Sequence, residues 1–412
     1  MQLRKLCFCL ALFLTLPIVA AANLTLARGG KAQVVIACPA APIPAETRAV
    51  KELGDYLQKI TGATFAVVDD QEVGGKPAIY VGPTAFAKGQ GIDVTALGKE
   101  ESIIRTVGNS LLITGGRPRG TLYGVYRFLE NQLGVRWYTP WTEKVPGKPT
   151  CTVGTLDLRQ QPAFEMRDYY GIPVTAGEMG KLYGEEWPWW VQRNRLNGQS
   201  VGEGGWFSSK YGPQPIREET GGGWVISGPG NHSFTVLFPN TQYFKEHPEY
   251  YSMRNGKRIP GDNAGNHLCL TNKDVLRLTI EKVLNQFRQS PVADVVSVSQ
   301  NDGGLPTLCD CPDCRAFVAK YGNEADLMIW FVNQVAEAVE QEYPGKFVSV
   351  LGGYQPITDA PKTFKPRENV IITYGNPGWF KVAKHVWAWN NYSNVSLPFG
   401  FFRPQWWRNA EW

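Results

Sequence analysis

The chain has 412 residues, 43% of them hydrophobic and 19% charged, so it can bury a sizeable core and is excluded from the disordered class. Its length suggests two domains rather than one. The formal net charge is +5, and because no run of Lys or Arg is interleaved with aromatic residues, a nucleic-acid partner is not expected.

Residues 1–22 have the pattern of a secretory signal peptide. Arg4 and Lys5 precede an apolar stretch from Leu6 to Val19, and three alanines end the segment. Its removal lowers the net charge to +3, since +5 − 2 = +3. No later stretch is long and apolar enough to span a membrane. We therefore expect a secreted or periplasmic protein with no membrane span after signal removal; a retained membrane anchor is the alternative.

Residues 23–155 are predicted to form a small α+β sandwich domain. Hydrophobic periodicity predicts four strands and two helices: strands at 34–37, 78–81, 102–107 and 110–114, and helices at 45–60 and 119–133. The glycine-rich stretch 115–120 lacks the Gly-Lys-Ser/Thr ending of a phosphate loop, so we interpret it as a turn from strand to helix. Cys38 and Cys151 flank this domain and are a candidate disulfide.

Residues 160–412 alternate between strand-like and helix-like stretches, which is typical of βα units on a parallel sheet. The predicted strands are 164–168, 224–226, 267–270, 295–299, 347–351, 370–373 and 395–399, and the predicted helices are 186–196, 273–289, 325–342 and 378–389. The pattern predicts a (β/α)8 TIM-type barrel with seven of its eight strands. We favour truncation before strand 8 over a barrel that closes differently.

The predicted strand at 295–299 delivers polar residues to its carboxyl end. Val295, Val296 and Val298 suit a buried parallel strand, and Gln300, Asn301 and Asp302 follow before two glycines. Ligands collect beyond the carboxyl ends of parallel strands, so Asn301 and Asp302 are candidate site residues. An Asx turn or a helix cap is the alternative.

Aromatic residues in the second domain favour a sugar-binding pocket, because pyranose rings pack on indole faces. All fourteen tryptophans lie at or after Trp137, and Trp206, Trp379 and Trp406 fall in predicted strand-to-helix loops. Core packing is the alternative for each of them. Two more candidates for substrate binding are Tyr374, which closes the sixth predicted strand, and His232, whose alternative is a hydrogen bond that stabilises its loop.

Three cysteines fall within six residues, at Cys309, Cys311 and Cys314. This spacing resembles a zinc knuckle, with Cys269 as the fourth ligand of a structural Zn site. Disulfides are the rival interpretation for an exported protein, although two bridges would have to form in a very tight space. No cofactor is expected for catalysis.

Two stretches of the chain resemble known families. Residues 46–62, 80–82 and 119–130 are similar to the non-catalytic domain that precedes the barrel of β-hexosaminidases and α-glucuronidases. Residues 232–234, 247–251, 268–272, 296–302, 309–314 and 331–336 resemble the domain of unknown function 4838 family of secreted bacterial proteins, over about 165–375. That resemblance implies a glycosidase acting on acetamido-sugar or uronic-acid glycans by analogy alone.

The hexosaminidase resemblance implies an adjacent acidic pair at the end of the fourth strand, where one member orients the acetamido group and the other protonates the leaving oxygen. This chain has Asn301-Asp302 instead. An amide orients but cannot balance a positive charge, which puts the substrate-assisted mechanism in doubt. We assign Asp302 as the general acid and Asn301 as an orienting group.

A conventional mechanism needs a second carboxylate, and Asp168 and Glu203 are the candidates. Arg167 resembles the first-strand arginine with which hexosaminidases hold sugar hydroxyls. Because side chains alternate along a strand, one of Arg167 and Asp168 faces inward, unless the strand has already ended.

The sequence therefore predicts an exported glycoside hydrolase-like protein that acts on carbohydrate. A non-catalytic carbohydrate-binding barrel is the alternative, and a metal-dependent hydrolase using the cysteine cluster is a third hypothesis.

Overall fold

The computed structural model describes residues 23–139, 141–162, 186–201, 218–228, 231–260, 267–302, 307–373 and 378–387. Within these residues the chain forms two units, each with its own β-sheet and its own hydrophobic core. The predicted signal peptide lies outside the described residues. None of the helices in the described ranges is long and apolar enough to cross a membrane.

The first unit is an α+β structure. Its strands are β1 (Leu24–Arg28), β2 (Lys31–Ala32), β3 (Val35–Cys38), β4 (Val67–Asp69), β5 (Ala78–Val81), β6 (Ser102–Val107), β7 (Ser110–Gly115), β8 (Arg136–Thr139), β9 (Thr142–Lys144), β10 (Cys151–Val153) and β11 (Asp157–Gln160). They form a six-stranded sheet in the order β11-β6-β7-β5-β3-β4, a three-stranded sheet in the order β10-β1-β2 and the pair β8-β9. Its helices are α1 (Pro44–Thr61), α2 (Ala85–Gly89) and α3 (Gly120–Arg127), the last continued by a wider turn over Phe128–Gln132.

The predicted elements of the first unit are confirmed, with small changes at their ends. Helix α1 buries the apolar stripe that its periodicity predicts, and β6 and β7 are joined through Gly108, which has φ +56°. Two predictions are wrong. Strand β11 pairs with β6, so this unit extends through Gln160 rather than ending at 155. Cys38 and Cys151 are both unpaired, so they form no disulfide here.

The glycines after β7 allow three stretches of backbone to approach closely. A Cβ atom on Gly115 would lie 2.3 Å from the carbonyl carbon of Gly120, and one on Gly116 would lie 2.0 Å from the carbonyl oxygen of Gly98. These contacts leave no room for a side chain. They support the interpretation of residues 115–120 as a packed turn from strand to helix.

We expect Gly116→Ala to lower the free energy of unfolding by roughly 1 to 3 kcal/mol, because the backbone of Gly98 would have to move to admit the methyl group. Denaturant unfolding of the purified protein measures this change. Gly147→Ala is the matched control, since a Cβ atom there has no heavy atom within 4 Å. Equal stability of the two variants would contradict the packed turn.

The strands of the second unit are β12 (Gly198–Val201), β13 (Trp224–Ser227), β14 (Met253–Arg254), β15 (Lys257–Arg258), β16 (Val295–Ser297), β17 (Phe347–Leu351), β18 (Val370–Thr373) and β19 (His385–Trp387). Six of them form a sheet in the order β12-β13-β16-β17-β18-β19, in which every neighbouring pair is parallel. Its helices are α4 (Glu186–Arg193), α5 (Phe234–Leu237), α6 (Asn240–Tyr243), α7 (Lys273–Gln289), α8 (Pro312–Tyr321) and α9 (Glu324–Glu342).

The parallel sheet agrees with the predicted βα pattern, but the described strands do not close into a barrel. Residues 267–270 are not a strand of this sheet; Leu268 instead forms an isolated antiparallel bridge with Tyr251. The predicted helix at 378–389 is wrong over its described residues, because residues 378–387 contain a 3-10 turn at Trp379–Lys381 followed by β19. The predicted strands at 164–168 and 395–399 lie outside the described residues.

Buried polar contacts join the two units. The guanidinium of Arg193 on α4 donates two hydrogen bonds, both of 3.1 Å, to the carboxylate of Glu52 on α1. Although burial disfavours the charged form, these contacts hold the pKa of Arg193 above its usual value. The amide of Asn197 donates to Glu100 at 2.7 Å, and Arg195 donates to Glu130 at 2.8 Å. The units therefore share a specific interface with paired charges.

Helix α9 begins at a carboxylate that also anchors a distant loop. Asn323 and Asp326 form a reciprocal capping box, which satisfies backbone donors of the first turn. The fully buried Asp326 carboxylate also accepts hydrogen bonds from the backbone N–H groups of Lys362, Thr363 and Phe364, at 3.0, 2.6 and 2.9 Å. One side chain therefore fixes both the helix start and the segment that leads into β18.

Candidate functional site

The candidate site lies at the carboxyl ends of β13, β16 and β17. All residues from Val295 in β16 to Asn301, four residues beyond the end of that strand, are buried, and Asp302 is the first exposed residue after them. Among the described parallel strands β16 is third in chain order, after β12 and β13. Polar side chains beyond the carboxyl end of a parallel strand are held by the rigid sheet beneath them. The predicted position of Asp302 at a strand end is therefore what the structure shows.

Tyr354 contacts Asp302 from the loop that follows the neighbouring strand, β17. It lies in a tight loop after β17, where it forms an isolated bridge with Ile357, and its hydroxyl donates a hydrogen bond to the Asp302 carboxylate. The ring of His232 packs edge-on near that of Tyr354, with 5.9 Å between the ring centroids. We call His232, Asn301, Asp302 and Tyr354 the strand-end cluster.

His232 is held in an unusual backbone conformation. Its φ is +52°, a value that is uncommon for residues other than glycine and that clusters at functional sites. Its Nδ1 lies 3.0 Å from the carbonyl oxygen of Gln300. Because a carbonyl oxygen can only accept, Nδ1 carries the proton, and Nε2 of the neutral ring is then the acceptor. This contact is the loop hydrogen bond that was the alternative for His232, and it also fixes the tautomer of the ring.

Asn301 is a connecting residue. It is 2% exposed, and its side-chain oxygen accepts a hydrogen bond of 3.0 Å from the backbone N–H of Thr235, at the start of α5. The amide therefore ties the end of β16 to the loop that carries His232. Its predicted role as a group that orients substrate stays a prediction, and this burial does not favour it.

Further buried hydrogen bonds fix the backbone that presents Asp302. The Ser299 hydroxyl accepts from the N–H of Leu351, and the Ser299 N–H donates to the Ser233 hydroxyl at 2.8 Å. The Gln300 amide donates to the carbonyl oxygen of Leu351 at 2.8 Å. These bonds join the ends of three neighbouring segments, so the cluster is preorganised by its surroundings.

A second polar contact lies one strand further along the sheet. The hydroxyl of Thr373, the last residue of β18, donates to the side-chain oxygen of Asn231 at 3.2 Å. Tyr374, which follows it, lies outside the described residues. The same is true of four other predicted site residues and one alternative: Arg167, Asp168, Trp206, Trp406 and Glu203.

Trp379 is not a binding surface for a sugar. Its side chain is 0% exposed, its indole packs against Gly352, and its N–H donates to the carbonyl oxygen of Thr358 at 3.2 Å. Core packing, the alternative interpretation, is therefore the correct one for this residue. The ring instead supports the turn that places Tyr354.

His267 was not identified from the sequence. It is fully buried, and neither ring nitrogen has a hydrogen-bond partner among the described residues. Burial lowers the pKa of His267 to about 3, and the nearby charge of Arg254 adds to the shift. The ring is therefore neutral at physiological pH.

The four predicted metal-ligand cysteines come together in a separate place. The sulfur atoms of Cys269, Cys309, Cys311 and Cys314 all lie within 4.8 Å of one another, and all four residues are buried. The β14–β15 hairpin lies against them, since the N–H of Met253 donates to the sulfur of Cys309 at 3.2 Å. The predicted grouping of these four side chains is therefore what the structure contains.

Comparison with known families identifies a match that covers more than half of the chain. A family model described as Domain of unknown function (DUF4838) matches residues 137–376. No curated protein sequence matches the chain.

Solved structures of glycosidases are similar to the chain at low identity. A β-N-acetylhexosaminidase from Bacteroides fragilis is 15% identical, with a TM-score of 0.44, and the match covers 86% of this chain and 68% of that one. A 4-O-methyl-α-glucuronidase of glycoside hydrolase family 115 is 14% identical, with a TM-score of 0.47 and coverage of 84% and 45%. A chitobiase from Flavobacterium johnsoniae has the same identity and score, with coverage of 90% and 55%. The chain thus spans about half the length of the last two proteins.

Proposed function

The chain belongs to the domain of unknown function 4838 family, and on that premise we propose that its strand-end cluster binds glycans that contain acetamido sugars or uronic acids and cleaves their glycosidic bonds by carboxylate acid/base catalysis. The family description names no activity. The proposal therefore depends on the geometry of the cluster. The predicted leader at residues 1–22 supports an activity outside the cytoplasm.

One observation carries the proposal: an exposed carboxylate at the carboxyl edge of a parallel sheet is held by a tyrosine hydroxyl beside a histidine of fixed tautomer. Asp302 in its protonated form would donate its proton to the glycosidic oxygen as the bond from that oxygen to C1 breaks. Water then adds to C1, and its proton passes to a second carboxylate. Asp168 and Glu203 are the candidates for that base.

Tyr354 and His232 supply positioning and recognition in this mechanism. The Tyr354 hydroxyl fixes the orientation of the Asp302 carboxyl group. His232 Nε2 is a hydrogen-bond acceptor that suits a sugar hydroxyl, because Nδ1–H is committed to the carbonyl oxygen of Gln300.

The proposal is tested by incubating the full chain with a panel of aryl glycosides of acetamido sugars and uronic acids, and by measuring oligosaccharide binding calorimetrically in parallel. Turnover of at least one class supports the enzyme. Binding without turnover favours the second candidate function, a carbohydrate-binding protein without catalysis. The observation behind that candidate is that Asp302 has the buried amide of Asn301 as its neighbour instead of a second acid.

We expect Tyr354→Phe to lower kcat by roughly 10- to 100-fold with KM nearly unchanged, which corresponds to the loss of one hydrogen bond to a charged group. Steady-state kinetics on the best aryl glycoside measures both constants. Tyr138→Phe, at an exposed position of β8, is the control and should leave them as in the wild type. A rise in KM without a fall in kcat would show that Tyr354 acts on substrate binding instead.

A further inference from the structure

We propose that Cys269, Cys309, Cys311 and Cys314 bind one zinc ion in a closed tetrahedral site whose role is structural. This inference does not depend on the proposed glycosidase activity. It concerns a cluster that the acid/base mechanism does not use.

The distances between the sulfur atoms fit a tetrahedral metal. Zinc–thiolate bonds of about 2.3 Å place the sulfurs of a tetrahedral site roughly 3.8 Å apart. The Cys269 sulfur lies 3.6 Å from that of Cys311 and 3.9 Å from that of Cys314. All four sulfurs fall within 4.8 Å of one another, so a zinc ion would need small movements of the side chains.

The same distances do not fit disulfides. A disulfide bond brings two sulfur atoms to about 2.05 Å, whereas all four cysteines are unpaired in the structure. Forming two bridges would draw the sulfurs into separate pairs and disperse the cluster. Each sulfur is instead placed near three others, which is the arrangement that a shared ion requires.

The surroundings supply the charge and the hydrogen bonds that a tetrathiolate zinc site needs. Each thiol that binds zinc loses its proton to solvent, so four thiolates and one Zn²⁺ have a net charge of −2. The guanidinium of Arg258 lies 3.8 Å from the Cys309 sulfur, and the N–H of Met253 donates to the same atom. Donors of this kind stabilise the thiolates around a metal.

The burial of the four cysteines indicates a structural zinc site and not a catalytic one. The four cysteines are between 0 and 3% exposed, and four thiolates complete the coordination of zinc without an open position for water or substrate. The hypothesis of a metal-dependent hydrolase needs such an open position, so these residues favour a structural ion instead.

The zinc ion would join two segments of the chain, one at Cys269 and the other at residues 309–314. Cys269 lies just before the start of α7, Cys311 is the residue that precedes α8, and Cys314 lies in the first turn of α8. Cys309 contacts the β14–β15 hairpin through Met253. Because Cys309 lies seven positions after Asp302, the ion would also anchor the far end of the segment that leaves the strand-end cluster.

The test is elemental analysis of the full chain, combined with alkylation of its thiols before and after chelation. We expect one zinc ion per chain and four thiols that become reactive when zinc is removed. The intact mass of the chain, measured without reductant, detects disulfides as a loss of two hydrogens for each bridge, and bridges among these four cysteines would overturn the proposal. Failure of the reduced chain to bind added Zn²⁺ would overturn it as well.

Cys311→Ser is expected to lose the bound zinc and to melt at a lower temperature than the wild type. Cys38→Ser, which replaces a half-buried cysteine outside the cluster, is the matched control and should keep one zinc ion. If Cys311→Ser does not fold, cobalt substitution in the wild-type chain still decides the question. Intense visible bands and thiolate-to-cobalt charge transfer indicate tetrahedral thiolate ligands, and weak octahedral bands contradict the site.

Discussion

Asp302→Asn is expected to lower kcat on phenyl glycosides by roughly 10²- to 10⁴-fold, the range that one general acid contributes. Asparagine has nearly the same shape as aspartate and can still accept the hydrogen bond from the Tyr354 hydroxyl. It cannot donate a carboxylic proton to the leaving oxygen. The variant should therefore bind substrate as the wild type does and fail at bond cleavage.

The choice of leaving group makes this test specific for an acid. A dinitrophenyl leaving group needs little protonation, so the effect of Asp302→Asn should be much smaller on dinitrophenyl glycosides than on phenyl glycosides. Asp55→Asn, at an exposed carboxylate of α1 in the first unit, is the control. An equal loss on both substrates would argue against proton donation by Asp302, and unchanged turnover would remove the residue from the mechanism.

Asp326→Ala is expected to have the largest effect on stability, a fall of roughly 3 to 5 kcal/mol in the free energy of unfolding. The carboxylate accepts the backbone N–H groups of Asn323, Lys362, Thr363 and Phe364 within the protein interior. Alanine leaves these donors without an acceptor, and each buried donor that loses its partner costs about 1 to 3 kcal/mol before the loop relaxes.

Denaturant unfolding measures this loss of stability, and two further variants are compared with Asp326→Ala. Asp326→Asn keeps one oxygen acceptor and should lose part of the stability that Asp326→Ala loses. Glu340→Ala, at an exposed position of the same helix, should stay within about 0.5 kcal/mol of the wild type. If Asp326→Ala is as stable as Glu340→Ala, the carboxylate is not the anchor of the 362–364 segment.

Local patterns predicted the elements whose signals lie within a single stretch. Helix α7 has the predicted bounds, because Asn272 caps its first turn and an apolar stripe repeats along it. The strand-end position of Asp302 follows from a β-branched run that ends in polar residues. The cysteine grouping follows in part from the spacing of Cys309, Cys311 and Cys314, which a short loop brings together.

Features that depend on distant partners were not predictable from such patterns. Residues 267–270 have the composition of a strand, yet Leu268 pairs with Tyr251 from the hairpin region instead of joining the parallel sheet. Trp379 is a predicted sugar-binding residue, but the absence of a side chain at Gly352 leaves a space that its indole fills. Tyr354 lies three residues after the end of β17, and its position just beyond a predicted buried strand, which Asp302 shares, is the signal that would have identified it.

The pairing of β11 with β6 has a practical consequence for producing the two units separately. A polypeptide that stops at residue 155 lacks β11, so the backbone N–H and C=O groups of β6 that face β11 are left unpaired along an open edge. Open edges of this kind recruit strands from other molecules and lead to aggregation. A first unit that ends after Gln160 keeps this edge covered and is the fragment to express for solubility.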